Sequence, residues 1–249
     1  MQRVSGAAEL LDGPLDDDRA LVGNLRDLAR ANRWLGGRQL SSMGLAALAP
    51  PGMPVTVIDV GTGAADIPLA LIDRARANGH RLSVTATDNR PEVLDAAVRL
   101  EPRLATAADL ALCVADGREL PFPDRSFDIA HSSLLLHHLE PVAAVELLRE
   151  MARVARRGIV VNDLVRGRIT WLGAWLLSHL ATTNRYTRHD ASLSVRRAYT
   201  VAELTALLAA AGLRVEASAV GAPFGHRVVL VASATPSPAA PQPAEGVSA

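Results

Sequence analysis

The chain of 249 residues has no lysine, one cysteine and few aromatic residues, and these shortages exclude several classes of protein. Its 26 basic residues are all arginine and are balanced by 26 acidic residues, so no net positive charge points to a nucleic-acid partner. A single cysteine excludes a disulfide framework and a cysteine-based metal site. Because Cys113 lies in an apolar strand pattern, we expect a buried thiol, and the sequence predicts no metal site.

The sequence also lacks an apolar run long enough to cross a bilayer. The longest uncharged stretch, residues 169–184, is shorter than the ~20 residues of a spanning helix and contains polar residues. The N-terminus carries aspartates in place of the apolar core of a signal peptide. We therefore expect a cytoplasmic protein without stable membrane insertion, whose 49% of hydrophobic residues can form a sizeable core.

The most informative feature that is present is a glycine-rich turn between an apolar strand and a helical pattern, in "VIDVGTGAAD". Gly61 and Gly63, which flank Thr62, lack a Cβ, so their backbone can lie against a ligand at the start of a helix. A dinucleotide-binding fingerprint requires glycine where this chain has Asp66. Together with Asp59 before the turn, that acid favours a ligand carrying ammonium and sulfonium charges. We predict S-adenosylmethionine as the cofactor.

Acidic residues also end the next two strand patterns. "RLSVTATD" ends at Asp88, which is followed by Asn89, and "LALCVAD" ends at Asp116, which is followed by Gly117. An acid at the tip of the second strand can accept hydrogen bonds from both ribose hydroxyls. Asp116 can accept a hydrogen bond from the exocyclic amine of adenine. One such acid is common in ordinary turns, but three in register with a glycine turn predict a cofactor site.

These motifs resemble those of the class I S-adenosylmethionine-dependent methyltransferases. "VIDVGTGAADIPLAL", "TATDNRPEVLDAA" and "VADGRELPFPDRSFDIAHSSLLLHHL" look like successive motifs of that family, and "LPFPDRSFD" is similar to the quinone-biosynthesis subgroup. "LREMARVARRGIVVNDLVRGR" and "SVRRAYTVAELTALLAAAGL" look like small-molecule methyltransferases of bacterial polyketide pathways. The resemblance covers residues 20–233. It departs from the family at Ala65, where a third glycine is usual, and we expect altered local packing there rather than lost binding.

The alternation of strand and helix patterns predicts an α/β protein with a Rossmann-like parallel sheet and helices on both faces. "RVEASAVG" and "HRVVLVAS" predict a terminal antiparallel β-hairpin. We expect a helical N-terminal cap in residues 1–50, a methyltransferase domain in 51–235 and a substrate-cap insertion at 165–200 within it. Residues 236–249 are rich in proline and alanine and are expected to form a disordered tail.

The residues after the fourth strand, "HSSLLLHHLEP", are candidates for the acceptor site, because ligands bind at the carboxyl ends of parallel strands. We place Ser132 beside the methyl end of the cofactor and predict His137 and His138 as catalytic bases, since the ordinary pKa of histidine, about 6.5, suits proton removal. Packing at a helix end is the alternative role of this pair. Adjacent helical residues diverge by about 100°, so we expect only one of them to face the site. His131 is expected to point into the structure, and Asp163 is a candidate polar contact.

The insertion carries the predicted substrate contacts. Trp171 and Trp175 are two of the three tryptophans, and Arg168 and Arg197 are candidate contacts for an acidic or phenolic group. Residues that recur at helical spacing define a stripe, which is either ordinary core or a cap over the acceptor: Ile169, Leu172, Trp175, Leu176 and His179.

The sequence thus predicts methyl transfer from S-adenosylmethionine to a small, aromatic or polyketide-like acceptor, with oxygen ahead of carbon as the acceptor atom. A nucleic-acid amino-methyltransferase is disfavoured, because "HSSL" replaces the Asn/Asp-Pro-Pro-aromatic motif. A nicotinamide oxidoreductase is disfavoured by Asp66. A non-catalytic S-adenosylmethionine-binding accessory or regulatory protein is the alternative, and the sequence leaves a homodimer open.

Overall fold

From residue 55 onward, strands and helices alternate over most of the chain, in the order that the sequence pattern predicts. The computed structural model describes residues 1–15, 17–221 and 225–234, so the predicted tail lies outside the described residues. The strands are β1 (Val55–Val60), β2 (Leu82–Asp88), β3 (Leu110–Val114), β4 (Phe127–Ser133), β5 (Ala155–Leu164), β6 (Leu213–Val220) and β7 (Arg227–Ala234). The α-helices are α1 (Asp18–Trp34), α2 (Gly37–Leu48), α3 (Asp66–Ala77), α4 (Pro91–Leu100), α5 (Pro141–Val154), α6 (Arg168–Ala181), α7 (Arg185–Arg197) and α8 (Val201–Ala210).

Seven strands form one sheet in the order β3-β2-β1-β4-β5-β7-β6. Strands β1 to β5 pair in parallel, and β7 pairs antiparallel with both β5 and β6. The predicted fold class and the terminal hairpin are therefore confirmed. The strand order reverses at β1, which has β2 on one side and β4 on the other. Such a switch point opens a crevice at the carboxyl ends of the two central strands, where ligands bind in α/β folds.

Helices cover both faces of the sheet, because alternate residues of each buried strand point to opposite sides. On one face α5 packs on β4 and β5 and α8 packs on α5 and β6, which buries Leu148, Met151 and Leu208. On the other face α2 and α3 form a second apolar cluster with the remaining side of β1. Cys113, expected to be buried, is only partly buried, because β3 lies at the edge of the sheet.

The first fifteen residues, here called the N-terminal strap, cross the carboxyl ends of the parallel strands. Arg3 pairs with Glu140, which precedes α5, at 2.6 Å. Arg90, which follows β2, donates a hydrogen bond to the carbonyl of Gly13 at 2.7 Å. Since both partners of the strap follow parallel strands at the same edge, the strap lies over the crevice at the switch point.

The predicted insertion is helical, as α6 and α7, but its stripe is not buried. Ile169, Leu172 and Trp175 are 71%, 55% and 42% exposed, and the next residue of the stripe, Leu176, is 48% exposed. The interpretation of the stripe as ordinary core is wrong, because the buried positions of α6 are on its polar side, at Thr170 and Ser178. Spacing alone identifies an apolar face and leaves open what that face contacts. No helix in the described parts of the chain is both long and apolar enough to span a membrane.

A buried chain of polar side chains ties the N-terminal helices to the sheet. Consecutive members are joined by hydrogen bonds of 2.5–3.0 Å. We call this series the buried polar chain, and it runs from β1 to the start of α3 through Asp59, His131, Ser41, Asn162, Arg227, Asn32 and Asp66. It connects three helices (α1, α2 and the start of α3) with four strands (β1, β4, β5 and β7), so these elements are held in one arrangement.

We expect Arg227→Met to lower the free energy of unfolding by about 3–5 kcal/mol, because it removes a buried cation and leaves the oxygens of Asn32 and Asn162 without a donor. Urea denaturation followed by circular dichroism measures the change. Arg214→Met is the matched control, since Arg214 is exposed and its pair with Glu216 lies in solvent, where ion pairs contribute little. Equal effects of the two substitutions would contradict a special role of the buried cation.

Candidate active site

The loop between β1 and α3, residues 61–65, contains three residues with a left-handed backbone, and we call it the glycine loop. Gly61 and Gly63 have φ angles of 70° and 54°, which glycine adopts without a steric clash. Ala65 has a φ of 51° and is fully buried, a conformation that costs an alanine about 1 kcal/mol. The alanine that departs from the family pattern therefore keeps the backbone that a third glycine would give.

Asp88, the predicted ribose contact, lies at the tip of β2 beside the glycine loop. Its carboxylate accepts hydrogen bonds from the backbone amides of Gly63 and Arg90, each at 3.1 Å. Burial raises the pKa of this carboxyl, and the two amide bonds oppose the increase. Each carboxylate oxygen keeps acceptor capacity beyond these bonds. The side chain can therefore accept from a pair of adjacent hydroxyl groups held on the loop.

The glycine loop has the space and the polar groups that S-adenosylmethionine needs. A Cβ added at Gly63 would meet no atom within 4 Å, so open space adjoins this stretch of backbone. The hydroxyl of Thr62 is buried and has no hydrogen-bond partner within the described residues. Open backbone, an unpartnered hydroxyl and the neighbouring carboxylate of Asp88 fit the ribose and amino-acid groups of this cofactor.

The turn after β3 brings the remaining predicted cofactor residues to the same edge of the sheet. Asp116 is exposed, and Arg118 donates a hydrogen bond to it at 2.8 Å, which lowers the pKa of the Asp116 carboxyl. A Cβ at Gly117 would lie 2.6 Å from side chains of β1 and α5, so glycine is needed for the loop to approach the core. Asn89 is exposed next to the tip of β2. A hydrogen bond from adenine to Asp116 stays a prediction, and Arg118 would compete with adenine for the carboxylate of Asp116.

The two acids that flank the glycine loop are occupied by neighbouring side chains. Asp59 is 3% exposed, and His131, which is fully buried as expected, bonds to its carboxylate at 2.5 Å. Asp66 accepts hydrogen bonds from Asn32 and Arg38, each at 2.9 Å. Because Arg38 pairs with Asp66, this acid is not the free charge at a helix start that the sequence interpretation assumed. Direct contact of Asp59 with the cofactor stays a prediction.

The chain turns sharply after β4 and packs against the glycine loop. Leu134 has a φ of 56°, which is costly for a branched side chain and is typical of functional sites. The turn places Leu135 on Gly61, where an added Cβ would approach the leucine side chain to 2.8 Å. Ser132, predicted near the methyl end of the cofactor, has a buried hydroxyl without a hydrogen-bond partner among the described residues. The residues that follow β4 are therefore adjacent to the cofactor loop.

His137 and His138, the histidine pair, follow this turn on a short 3-10 helix (Leu136–His138). Their ring centroids are 4.3 Å apart, and the ring planes are inclined by 37°. The α-helical geometry on which the expectation of a single site-facing ring was based is wrong, and which ring faces the acceptor stays a prediction. The segment is a single tight turn rather than an α-helix, and a separate carboxylate positions each ring.

Each of these carboxylates bonds to the Nδ1 atom of its histidine. Nδ1 of His137 lies 2.7 Å from Asp163 Oδ1, and Nδ1 of His138 lies 2.8 Å from Asp12 Oδ1. Burial alone would raise the pKa of the Asp163 carboxyl, but His137 lowers it below its ordinary value. A carboxylate only accepts hydrogen bonds, so Nδ1 carries the proton, and Nε2 of each neutral ring remains as an acceptor.

The N-terminal strap supplies two acids to the histidine pair. Asp12 accepts hydrogen bonds from His138 and, at 2.6 Å, from Arg197. Glu9 is 4% exposed, lies with Oε2 3.9 Å from Nε2 of His138, and has a pKa that burial raises to about 7. Arg197, a predicted substrate contact, is 6% exposed and also donates to the carbonyl of His138. With the strap in this position, Arg197 is part of the cluster around the histidines.

The other predicted substrate residues lie on α6 and do not join the histidine pair. Arg168 is exposed, Trp171 is partly buried, and Trp175 packs its ring 4.8 Å from the ring of His179. It is α7 that contacts the 3-10 helix of the histidine pair. A polar groove of about 440 Å³ between α1 and the α6–α7 connection contains none of the predicted site residues. Substrate contacts of the α6 residues stay predictions.

Sequence reasoning missed Glu9 and Asp12, because nothing local connects the strap with residues that follow it by more than a hundred positions. Asp12 and His138 are 126 positions apart in the chain. Asp163 could be identified as a candidate from the sequence, since it lies at the end of a strand pattern as Asp88 does. In the structure its carboxylate bonds to His137 and is not free to contact an acceptor.

Known proteins share both the sequence motifs and the fold. Residues 57–158 match a methyltransferase domain family. The ubiquinone/menaquinone biosynthesis C-methyltransferase UbiE of Rickettsia bellii is 37% identical over 78 residues, which are 31% of this chain and 32% of that protein. The chain is thus aligned with about a third of the length of the curated relatives that it matches.

Solved methyltransferases have a similar fold. The SAM-dependent methyltransferase from Aquifex aeolicus has a TM-score of 0.59 and 18% identity, with 85% of this chain and 97% of that chain covered. Human N-acetylserotonin methyltransferase in complex with SAM has a TM-score of 0.63 and 16% identity, with 88% and 57% covered. Residues 57–158 are therefore a methyltransferase domain, and the described chain has the fold of solved S-adenosylmethionine-dependent methyltransferases. The predicted family and cofactor of this methyltransferase are confirmed.

Asp88→Asn keeps the shape of the side chain and removes its charge. We expect the affinity of the methyltransferase for S-adenosylhomocysteine to fall about tenfold or more, because a hydrogen bond to a charged group contributes about 1.5–3 kcal/mol. Isothermal titration calorimetry measures the dissociation constant. Asp95→Asn, on the exposed side of α4, is the matched control and should bind like the wild type. An unchanged affinity in the Asp88 variant would remove this residue from the cofactor site.

Proposed function

We propose that this methyltransferase methylates a small, aromatic or polyketide-like acceptor after His137 has taken the acceptor's proton. The proposal is carried by one observation: a buried histidine–carboxylate pair lies directly behind the turn that packs on the glycine loop. Nδ1 of His137 is 2.7 Å from Asp163, and His137 and Asp163 are 2% and 1% exposed. The pair therefore combines a fixed orientation with a position at the cofactor end of β4.

A phenol or an enol needs such a base, because its neutral oxygen is a weak nucleophile until the proton leaves. Asp163 holds the Nδ1 proton of His137, which leaves Nε2 free to accept the proton of the acceptor. The negative carboxylate also stabilises the imidazolium that proton transfer creates. When bound, S-adenosylmethionine supplies a methyl group on a positively charged sulfur.

The N-terminal strap supports this function by excluding water from the crevice. Leu11 and Leu15 pack against an apolar cluster that includes Ala64 of the glycine loop and Val93 of α4. The strap thus covers the cofactor loop and, through its acids, the histidine pair. Entry of an acceptor then requires the strap to move away from the strand ends, as lids of many enzymes do.

Oxygen is the proposed acceptor atom and carbon is the alternative. Once a phenol has lost its proton, the negative charge is shared between the oxygen and the ring carbons, so the same base serves both reactions. The name of the UbiE relative specifies C-methylation, which supports the carbon alternative. The balance of acidic and basic residues favours a small-molecule acceptor over nucleic acid.

The direct test incubates the full chain with methyl-labelled S-adenosylmethionine and a panel of phenolic, polyketide-like and quinol acceptors. NMR of the product separates O-methyl from C-methyl groups. Label in any acceptor supports the proposal, and the chemical shift of the methyl carbon decides the acceptor atom. Tight binding of S-adenosylhomocysteine without labelled product from the whole panel would favour a non-catalytic, cofactor-binding role.

We expect His137→Gln to lower the turnover number about a hundredfold or more, which is the usual contribution of a general base. The affinity for S-adenosylhomocysteine should stay within twofold of wild type, since the base acts on the acceptor. His80→Gln, on the exposed end of the α3–β2 connection, is the control and should retain full turnover. A His137 variant with normal turnover, combined with a slow His138→Gln variant, would transfer the role to His138.

A further inference from the structure

We propose that Glu9, His137 and His138 form a binding site for a divalent transition-metal cation such as Zn²⁺, which locks the N-terminal strap over the crevice and inhibits methyl transfer. The proposal rests on the proposed function, because it assigns a regulatory ligand to the histidine pair. It adds a metal site that the sequence does not predict, since one of the three ligands comes from a distant part of the chain.

The three side chains are close enough to share one cation. One potential ligand atom from each residue lies within 4.8 Å of the other two. Glu9 and His137 are 4% and 2% exposed, and His138 is partly buried, so the cluster is shielded from bulk water. Two histidines and one glutamate are a ligand set that zinc enzymes use, with a further position left for water or another ligand.

The surroundings of both histidines match those of metal ligands. A ligating histidine usually bonds its other ring nitrogen to a carboxylate, which fixes the ring and makes the ligand more basic. Here Nδ1 of His137 is bonded to Asp163 at 2.7 Å, and Nδ1 of His138 is bonded to Asp12 at 2.8 Å. Nε2 of each ring is therefore the atom available for a cation.

A buried oxygen of Glu9 that makes no hydrogen bond is a second observation, independent of the histidine geometry, that favours a bound cation. Glu9 Oε1 is buried and makes no hydrogen bond among the described residues, since the neighbouring hydroxyl of Ser194 donates to the carbonyl of Asp190. The nearest cationic group in the cluster is Arg197, whose Nη1 lies 3.9 Å from that oxygen and only 2.6 Å from Asp12. A buried carboxylate oxygen without a partner is destabilising, and a bound cation would satisfy it.

The chemistry of the ligands selects the class of cation. Imidazole nitrogen suits zinc and the neighbouring transition metals, whereas Mg²⁺ prefers oxygen ligands and keeps its water. The two nearby carboxylates, Asp12 and Asp163, add negative charge around the site and favour a divalent ion. We therefore expect binding of Zn²⁺ and Co²⁺ and none of Mg²⁺.

A cation at this site would have two consequences for the methyltransferase. It would join the strap, through Glu9, to the turn after β4, through the histidines, and so stabilise the closed arrangement. It would also occupy the nitrogen of His137 that the proposed reaction needs as a proton acceptor. Metal binding and proton transfer therefore exclude each other at His137, which makes the cation an inhibitor.

The test titrates the metal-free full chain with Zn²⁺, Co²⁺ and Mg²⁺ in the absence of cofactor and acceptor. We expect one Zn²⁺ per chain at micromolar affinity or tighter, and a rise of the melting temperature with the Zn²⁺ concentration, because the ion binds the folded state. Bound Co²⁺ should give the visible absorption of a site with nitrogen ligands and low coordination number. Mg²⁺ should change neither signal.

Matched variants separate this site from adventitious binding. Glu9→Gln and His138→Gln should each weaken Zn²⁺ binding about tenfold or more, equivalent to about 1.4 kcal/mol. Glu140→Gln removes a different contact of the strap, with Arg3, and His189→Gln removes an exposed histidine that is paired with Asp190. Both controls should bind Zn²⁺ like the wild type. Circular dichroism establishes that each variant is folded.

Equal Zn²⁺ affinity in wild type and Glu9→Gln, or a Co²⁺ spectrum of the hexa-aqua ion in the wild type, would overturn the proposal. The cluster would then be a latch of ion pairs alone. Because these measurements need no turnover, they remain decisive if the methyl-transfer proposal fails. If transfer is observed, added Zn²⁺ should inhibit the wild type and inhibit Glu9→Gln about tenfold less strongly.

Discussion

A buried guanidinium between α1 and the strands β4 and β5 imposes the constraint on which the rest of this structure depends. Arg227 is 2% exposed, and burial lowers its pKa to about 10, so each of its donors must find an acceptor inside the protein. Asn32 of α1, Ser133 of β4 and Asn162 of β5 provide those acceptors. The three elements cannot shift separately without leaving a buried polar group unpaired. The crevice at the switch point is therefore built on a fixed base.

The candidate site has two halves. The cofactor half is formed by short sequence motifs on adjacent strands, and the acceptor half is formed by residues from distant parts of the chain. The cofactor half consists of the glycine loop and Asp88, which are neighbours because β1 and β2 pair in parallel. The acceptor half consists of the histidine pair, the carboxylate of Asp163 from β5 and the acids of the N-terminal strap. Leu135 joins the halves by packing on Gly61. The position of the histidines relative to the cofactor loop thus depends on one strained turn after β4.

Sequence patterns gave reliable predictions where a side chain's role depends on its immediate neighbours. The strand, the glycine turn and the helix between residues 55 and 77 follow from β-branched residues, from positive φ angles and from helical spacing. The predictions failed where the outcome depended on distant partners. The stripe on α6 has the spacing of a buried face but is exposed, and Asp66 has the position of a free charge at a helix start but pairs with Arg38. Periodicity describes an element and contains no information on what packs against it.

The sequence by itself determined the sheet, the cofactor loop and the family, because these depend on short stretches whose backbone preferences are intrinsic. Only the tertiary structure decided which carboxylate meets which histidine. Asp12 and His138 are separated by 126 positions, and Asp163 and His137 by 26, yet both pairs are within hydrogen-bond distance. The energy of such a pair depends on separation in space and on burial, which no local pattern specifies. The chemistry of the acceptor half is therefore a property of the folded chain.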